Sequence, residues 1–140
     1  LYLQQTKCLM TYGNYIMYPT GAGGLCEQLP DEVIKNNSYR EHKWVTSHLR
    51  AFKSKLWHNI REEDFKDKTG NWFTVTWDLA FMFPMLEMSA ERTLFIENFI
   101  YVYNRINPIS DEVIRRKEQI AVENYIRGLP KYERMEDEVK

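Results

Sequence analysis

The stretch Thr74–Glu87, TVTWDLAFMFPMLE, decides how the rest of the chain is read. Its aromatic and β-branched lead-in (Trp72, Phe73, Val75) gives way after Thr76 to a run with apolar residues on nearly every side. A helix without a polar face has to be enclosed by the rest of the domain. The pattern therefore predicts a strand end or loop feeding a buried helix that starts near Trp77, with Thr76 as a usable N-cap. Pro84 sits inside that helix and predicts a kink or break about one turn before it. Asp78 falls in the first helical turn, where the helix dipole favours a negative charge. It is the only carboxylate between Asp67 and Glu87. A carboxylate fixed there beside Trp77 fits a catalytic base and, more commonly, an ordinary helix start.

Upstream of that stretch, Glu62–Gly70 reads as a polar linker. Before it, Ser47–Ile60 reads as an amphipathic helix: Leu49, Phe52, Leu56, Trp57 and Ile60 fall at i, i+3, i+7, i+8 and i+11. Ser47 would cap it, and Lys53, Lys55 and Arg61 would take its outer face or C-terminal end. Asp31–Asn37 fits one or two helical turns. Lys7–Tyr18 holds two β-prone runs around Gly13-Asn14, which predicts a hairpin there. Pro19–Gly24, PTGAGG, follows as a flexible loop. A phosphate-cradling loop needs a helix after it and a Lys, Ser or Thr in register, whereas Leu25, Cys26 and Glu27 follow here. A mobile, substrate-facing loop and a plain connector both remain open.

Downstream, Thr93–Tyr103 reads as strand, turn and strand with Asn98 near the turn, ended by Pro108. Ser110–Gly128 reads as a last helix, acidic at its start, with Gly128 as its stop and Pro130 just beyond. The remaining residues 131–140 form a charged tail expected to fray.

At 140 residues, with 44 % hydrophobic and 14 % aromatic content, the chain is long enough for one domain with a real core. Nineteen basic against twenty acidic residues leave a net charge of −1, so no global field recruits nucleic acid or an anionic membrane. Cys8 and Cys26 show neither metal-ligand nor disulfide-framework spacing, which points to reduced thiols and a cytoplasmic setting. The longest apolar run, Leu79–Leu86, is too short to span a bilayer and carries Pro84, so no transmembrane segment is expected. The sequence begins at Leu1 rather than Met and enters what reads as a strand almost at once, so a preceding segment is expected.

His42, His48 and His58 have no metal-binding spacing and read as surface or capping residues. His48 stands out, because Ser47–Arg50, SHLR, places an imidazole and a guanidinium where an anionic group can meet both. No context supports a serine or cysteine nucleophile. The aromatic concentration (Tyr12, Tyr15, Tyr18, Trp72, Trp77, Tyr101, Tyr103) fits core packing and also suits the flat C–H faces of sugars.

Taken in order, TYGNYIMYPTGAGG, SHLRAFKSKLW, TWDLAFMFPMLEM and FIENFIYVYNRINPISD resemble the C-terminal half of glycosyltransferase family 2-like proteins of the GT-A fold. The four blocks cover most of Thr11–Asp111. The resemblance implies an α/β fold: a GT-A-type, Rossmann-like mixed sheet flanked by helices, of which this chain is a C-terminal portion. Residues 1–130 would be the acceptor-side part, followed by the charged tail 131–140.

In that family the N-terminal half holds the nucleotide-sugar, here most readily a UDP-sugar, and a DxD motif that binds Mn²⁺ or Mg²⁺. The near match Asp64-Phe65-Lys66-Asp67 has the wrong spacing and lies in the polar linker. No metal ligand is therefore identified in this chain, and the motif is expected upstream of Leu1. By resemblance Asp78 is the general base of an inverting transfer to a hydroxyl acceptor, and Trp77 lines the acceptor pocket. His48 and Arg50 would face the diphosphate or sugar, while Gly21, Gly23 and Gly24 border the acceptor cleft as a mobile loop. A non-catalytic glycan- or protein-binding module without a donor site is the alternative, and a folding scaffold within a larger protein is a third.

Overall fold

The computed structural model describes residues 7–136. The strand entry expected near Leu1 and the last four residues of the tail lie outside the described residues. The elements run β1 (Met10–Tyr18), α1 (Asp31–Lys35), β2 (Arg50–Phe52), α2 (Ser54–His58), α3 (Trp77–Ser89), β3 (Thr93–Asn104), α4 (Asp111–Ile114) and α5 (Arg116–Arg127). The result is a mixed α/β fold whose three-stranded sheet has the order β2-β1-β3. β2 pairs antiparallel with β1, and β3 pairs parallel with it. A parallel pair needs a crossover between its strands. The long connection from β1 to β3 includes α3, which delivers the chain to the start of β3.

α3 is buried from Leu79 to Ser89, as its unbroken apolar surface requires. With Met10 and Tyr12 of β1, Leu56 of α2 and Ile126 of α5 it forms the core. The helix does not break at Pro84 but continues to Ser89. Packing on all sides holds the turn that the missing N–H leaves unbonded. Thr76 is not a conventional N-cap. Its backbone is left-handed, φ 56° and ψ 13°, and its side chain makes no capping bond.

The hairpin expected at Gly13-Asn14 does not form, and β1 runs straight through both residues. A Cβ on Gly13 would stand 2.9 Å from Cδ1 of Ile100, so this glycine admits a side chain of β3 rather than a turn. The chain reverses later. Gly21, at φ +72°, donates its N–H to Met17 O, Met17 N–H bonds Ala22 O, and Gly24 N–H bonds Tyr15 O, each at 2.8 Å. The glycine segment is thus folded back on the end of β1. β3 is likewise one strand of 12 residues rather than two. The register steps from Gly13↔Ile96 to Asn14↔Phe99, so Glu97 and Asn98 are extra residues in a bulge where a turn was expected.

The amphipathic helix expected over Ser47–Ile60 is the largest correction. Its first half is not helical and contains the short strand Arg50–Phe52: Arg50 pairs with Tyr12, Ala51 with Thr11 and Phe52 with Met10. Only Ser54–His58 is helical. The edge of β1 takes this segment into the sheet, overriding its 3.6-residue pattern. Of the five periodic residues only Leu56 is fully buried, and Leu49 and Trp57 are exposed. Asp31–Lys35 is helical as expected, closed by Asn36 and by Asn37 at φ 49°, a conformation asparagine tolerates.

The last helix is interrupted at Arg115 into α4 and α5 and stops at Gly128. The tail is not frayed as far as it is described. Tyr132 and Met135 pack on the core, and Met135 N–H bonds Met88 O at 2.9 Å. Among the described residues no helix is long and apolar enough to cross a membrane.

Candidate functional site

The start of α3, the turn before β2, the end of β3 and α5 enclose a cavity of about 520 Å³. Asp78, Trp77, His48 and Arg50 all line it. These four sequence-expected residues come from two separate elements and meet because β2 brings the SHLR turn to the N-terminus of α3. Arg50 donates from Nη2 to Asp78 Oδ2 at 2.8 Å. The guanidinium is nearly enclosed, its side chain 11 % exposed, while 34 % of the aspartate side chain stays open. Among the described residues no hydrogen bond reaches Asp78 Oδ1. Arg50 Nε is buried without a hydrogen-bond partner, and the guanidinium carbon lies 5.9 Å from the centre of the Trp44 ring and 6.0 Å from that of Phe81.

Thr76 brings a second constraint to this corner. A β-branched residue in the left-handed region costs on the order of 1–2 kcal/mol, and Thr76 sits directly before Trp77 and Asp78 on the cavity wall. Strain of this kind concentrates where a backbone direction matters for a site.

His48 is positioned by its ring and by its neighbour. The imidazole stacks on Tyr101, centres 5.0 Å apart and planes at 15°, with Tyr103 at 5.6 Å and the edge of Tyr15 at 6.4 Å. Ser47 Oγ lies 2.9 Å from His48 Nδ1, and Ser47 is itself anchored by its N–H on the buried Cys26 Sγ at 3.2 Å. Burial first, and then the Arg50 charge, hold the imidazole below its ordinary pKa. The same burial pushes the Cys26 thiol up, keeping it neutral, and both cysteines are free.

A histidine with a depressed pKa in the folded state binds its proton more readily once unfolded. Its contribution to stability is therefore constant above the unfolded pKa, about 6.5, and falls as the pH drops below it. Wild-type protein is expected to lose more melting temperature than His48→Gln between about pH 7.5 and about pH 5.5. Parallel curves for the two proteins would remove His48 as the cause.

Gly21, Gly23 and Gly24 do not line this cavity. They stand behind it. A Cβ on Gly24 would lie 2.5 Å from Cζ of Tyr15, whose ring edge meets His48, and Gly23 bridges Ile16 across from the Phe99 ring. Of the three, only Gly24 lets Tyr15 pack where it supports the imidazole, an indirect part in the site, while nothing stands within 4 Å of a Cβ on Gly21.

Sequence reasoning missed the wall contributed by α5. Arg116, Gln119 and Glu123, at i, i+3 and i+7, form a polar stripe facing the cavity, joined by Trp44, Tyr103 and Asp111. The stripe was legible as one face of the last helix, but the partner of that face was not.

Comparison with protein-family models, curated proteins and solved structures yields no match to this chain. The chemistry of the cavity therefore follows from its own residues. Aromatic walls and several charged groups of both signs suit a polar ligand with C–H faces, such as a polyhydroxyl compound. The residues present do not fit the Mn²⁺ or Mg²⁺ that the resemblance implies. Each cavity carboxylate is matched to an arginine: Asp78 to Arg50, Glu123 to Arg127 at 2.8 Å, and Asp111 to Arg115 at 3.9 Å. Among the described residues no group of three His, Cys, Asp or Glu side chains is placed to hold an ion.

Proposed function

We propose that the chain is the acceptor-side part of a GT-A nucleotide-sugar glycosyltransferase, with Asp78 as the base of an inverting transfer to a hydroxyl. The observation that carries this reading is the convergence of Asp78 and Arg50, 28 residues apart in sequence, on one cavity with Trp77 and His48. Arg50 fixes the carboxylate through Oδ2, and Oδ1 accepts the proton of the acceptor hydroxyl as its oxygen attacks the anomeric carbon of the donor. The bond from that carbon to the nucleoside diphosphate breaks on the opposite face, so one displacement inverts the centre. The guanidiniums of Arg50 and Arg116 are the cavity's sources of positive charge for the departing diphosphate. Trp77 offers an aromatic face to the acceptor ring.

A second reading, a non-catalytic module that binds a glycan or a protein, is favoured by the Arg50–Asp78 ion pair, which already occupies half of the carboxylate. Turnover separates the two. The complete protein, with the donor-binding part that the resemblance implies, incubated with UDP- and GDP-sugars and hydroxyl acceptors, is expected to release nucleoside diphosphate and give a glycoside of inverted configuration. Glycan binding without release supports the module, and a product of retained configuration removes the single-base mechanism.

A further inference from the structure

Trp77 is a wall shared by two cavities of opposite character. One is the charged cavity of Asp78. The other, of about 580 Å³, is walled mainly by Trp57, Trp72, Phe65, Phe73 and Ile60. Three tryptophans are left open to solvent around it, Trp57 at 43 %, Trp72 at 57 % and Trp77 at 54 %. Apolar surface gathered in this way marks a binding site rather than ordinary scatter.

The rings run without a gap from one cavity to the other. Phe81, on the wall of the Asp78 cavity, has its ring centre 5.8 Å from Trp77 and 5.8 Å from Trp57. Trp57 continues to Phe65 at 5.4 Å, and Phe65 to Trp72 at 6.4 Å. Successive planes are tilted by 44°, 58°, 46° and 40°, which makes a trough instead of one flat platform.

Its two polar walls are already engaged. Glu62 is paired with Lys66, and Thr74 Oγ1 accepts from Arg115 Nη2 at 2.6 Å while lying 3.4 Å from Glu118 Oε1. A sugar entering here would replace few of the hydrogen bonds that it gives up to water, since the lining is mainly aromatic and Glu62 shares its carboxylate with Lys66. A hydrocarbon would lose nothing.

We infer that this second cavity takes the apolar chain of the molecule whose polyhydroxyl head occupies the Asp78 cavity. The acceptor is then amphipathic, a sugar or similar head carrying an alkyl or aryl group. This rests on the acceptor reading of the Asp78 cavity and specifies its substrate class. The continuous ring row past Trp77 joins head to chain within one ligand.

Calorimetric titration of the whole chain with n-alkyl β-glucosides from methyl to octyl, below their micelle concentrations and without donor, tests it. Affinity is expected to rise along the series, approaching about fourfold for each fully buried methylene. Trp72→Ser, at an exposed position, is expected to flatten that slope. Arg116→Ala is expected to weaken every member by a common factor and leave the slope intact. Equal affinity for the methyl and octyl compounds overturns the inference, as does a slope unchanged in both Trp72→Ser and Trp57→Ser. Self-association through this face that octyl glucoside does not reverse also overturns it. A steep slope in this chain, together with no transfer by the complete protein that carries the donor-binding part, supports the amphipathic ligand and defeats the transferase reading, so the two failures are distinguishable.

Discussion

Arg40→Met is expected to destabilise the fold by about 3–5 kcal/mol, the cost of leaving a buried charge without its partner. Arg40 reaches Glu87 through Nε at 2.5 Å and Nη2 at 2.9 Å, and its Nη1 donates to Ile126 O at 2.6 Å. The two side chains are 2 % and 0 % exposed. Glu87 Oε2 also accepts the Tyr132 N–H at 3.0 Å. One pair therefore ties the end of α3 to the segment before β2, to the end of α5 and to the tail. Loss of the cation strands the carboxylate, whereas Arg40→Met with Glu87→Leu removes both charges and is expected to recover most of the stability. Chemical denaturation of the single and double variants measures this. A single variant as stable as the wild type, or a double variant as unstable as the single, refutes the account. For a domain whose whole stability is on the order of 5–15 kcal/mol, the single change removes a large share.

Glu87 closes the very stretch from which the fold was read, and its role shows where sequence reading stops. Apolar residues on nearly every side of the helix say that α3 is buried, and it is from Leu79 to Ser89. They do not say that a carboxylate at the eleventh position of the helix goes in with them, because that requires Arg40, 47 residues away. The mixed α/β class, the short helix at Asp31 and the stop at Gly128 were legible from local pattern, and Asp78, Trp77, His48 and Arg50, singled out by a resemblance, do line one cavity.

The strands were not legible in their true form. Gly13-Asn14 looks like a turn and is strand, because Gly13 makes room for Ile100. Leu49 and Phe52 fit a helical stripe, and yet Arg50–Phe52 is held as strand by the open edge of β1. The α5 wall of the cavity was hidden for the same reason. Periodicity assigns a face to a helix, and only tertiary packing assigns what that face looks at.

Asp78→Asn in the active protein is expected to lower kcat by about 10²–10⁴, the usual range for removing a general base, with little change in the KM of the donor. Asparagine keeps the shape of the side chain, and its amide oxygen can still accept from Arg50 Nη2, so the cavity keeps its geometry. Asp78 is also partly open, at 34 %, and the loss of its ion pair is expected to cost about 1 kcal/mol or less of stability. The chemical step and the fold are therefore separable in this variant. A fall in kcat with the melting curve nearly intact is the signature of a base, since binding shared by ground and transition states shifts KM instead. Arg50→Lys sharpens the test: it keeps the positive charge but loses the planar fork that orients the carboxylate. It is expected to lower kcat less than Asp78→Asn does, because the base survives in a looser position. Turnover near the wild-type rate in Asp78→Asn removes the residue from the mechanism. Weakened ligand affinity in a protein that never turned over assigns the aspartate, with Arg50, to recognition alone.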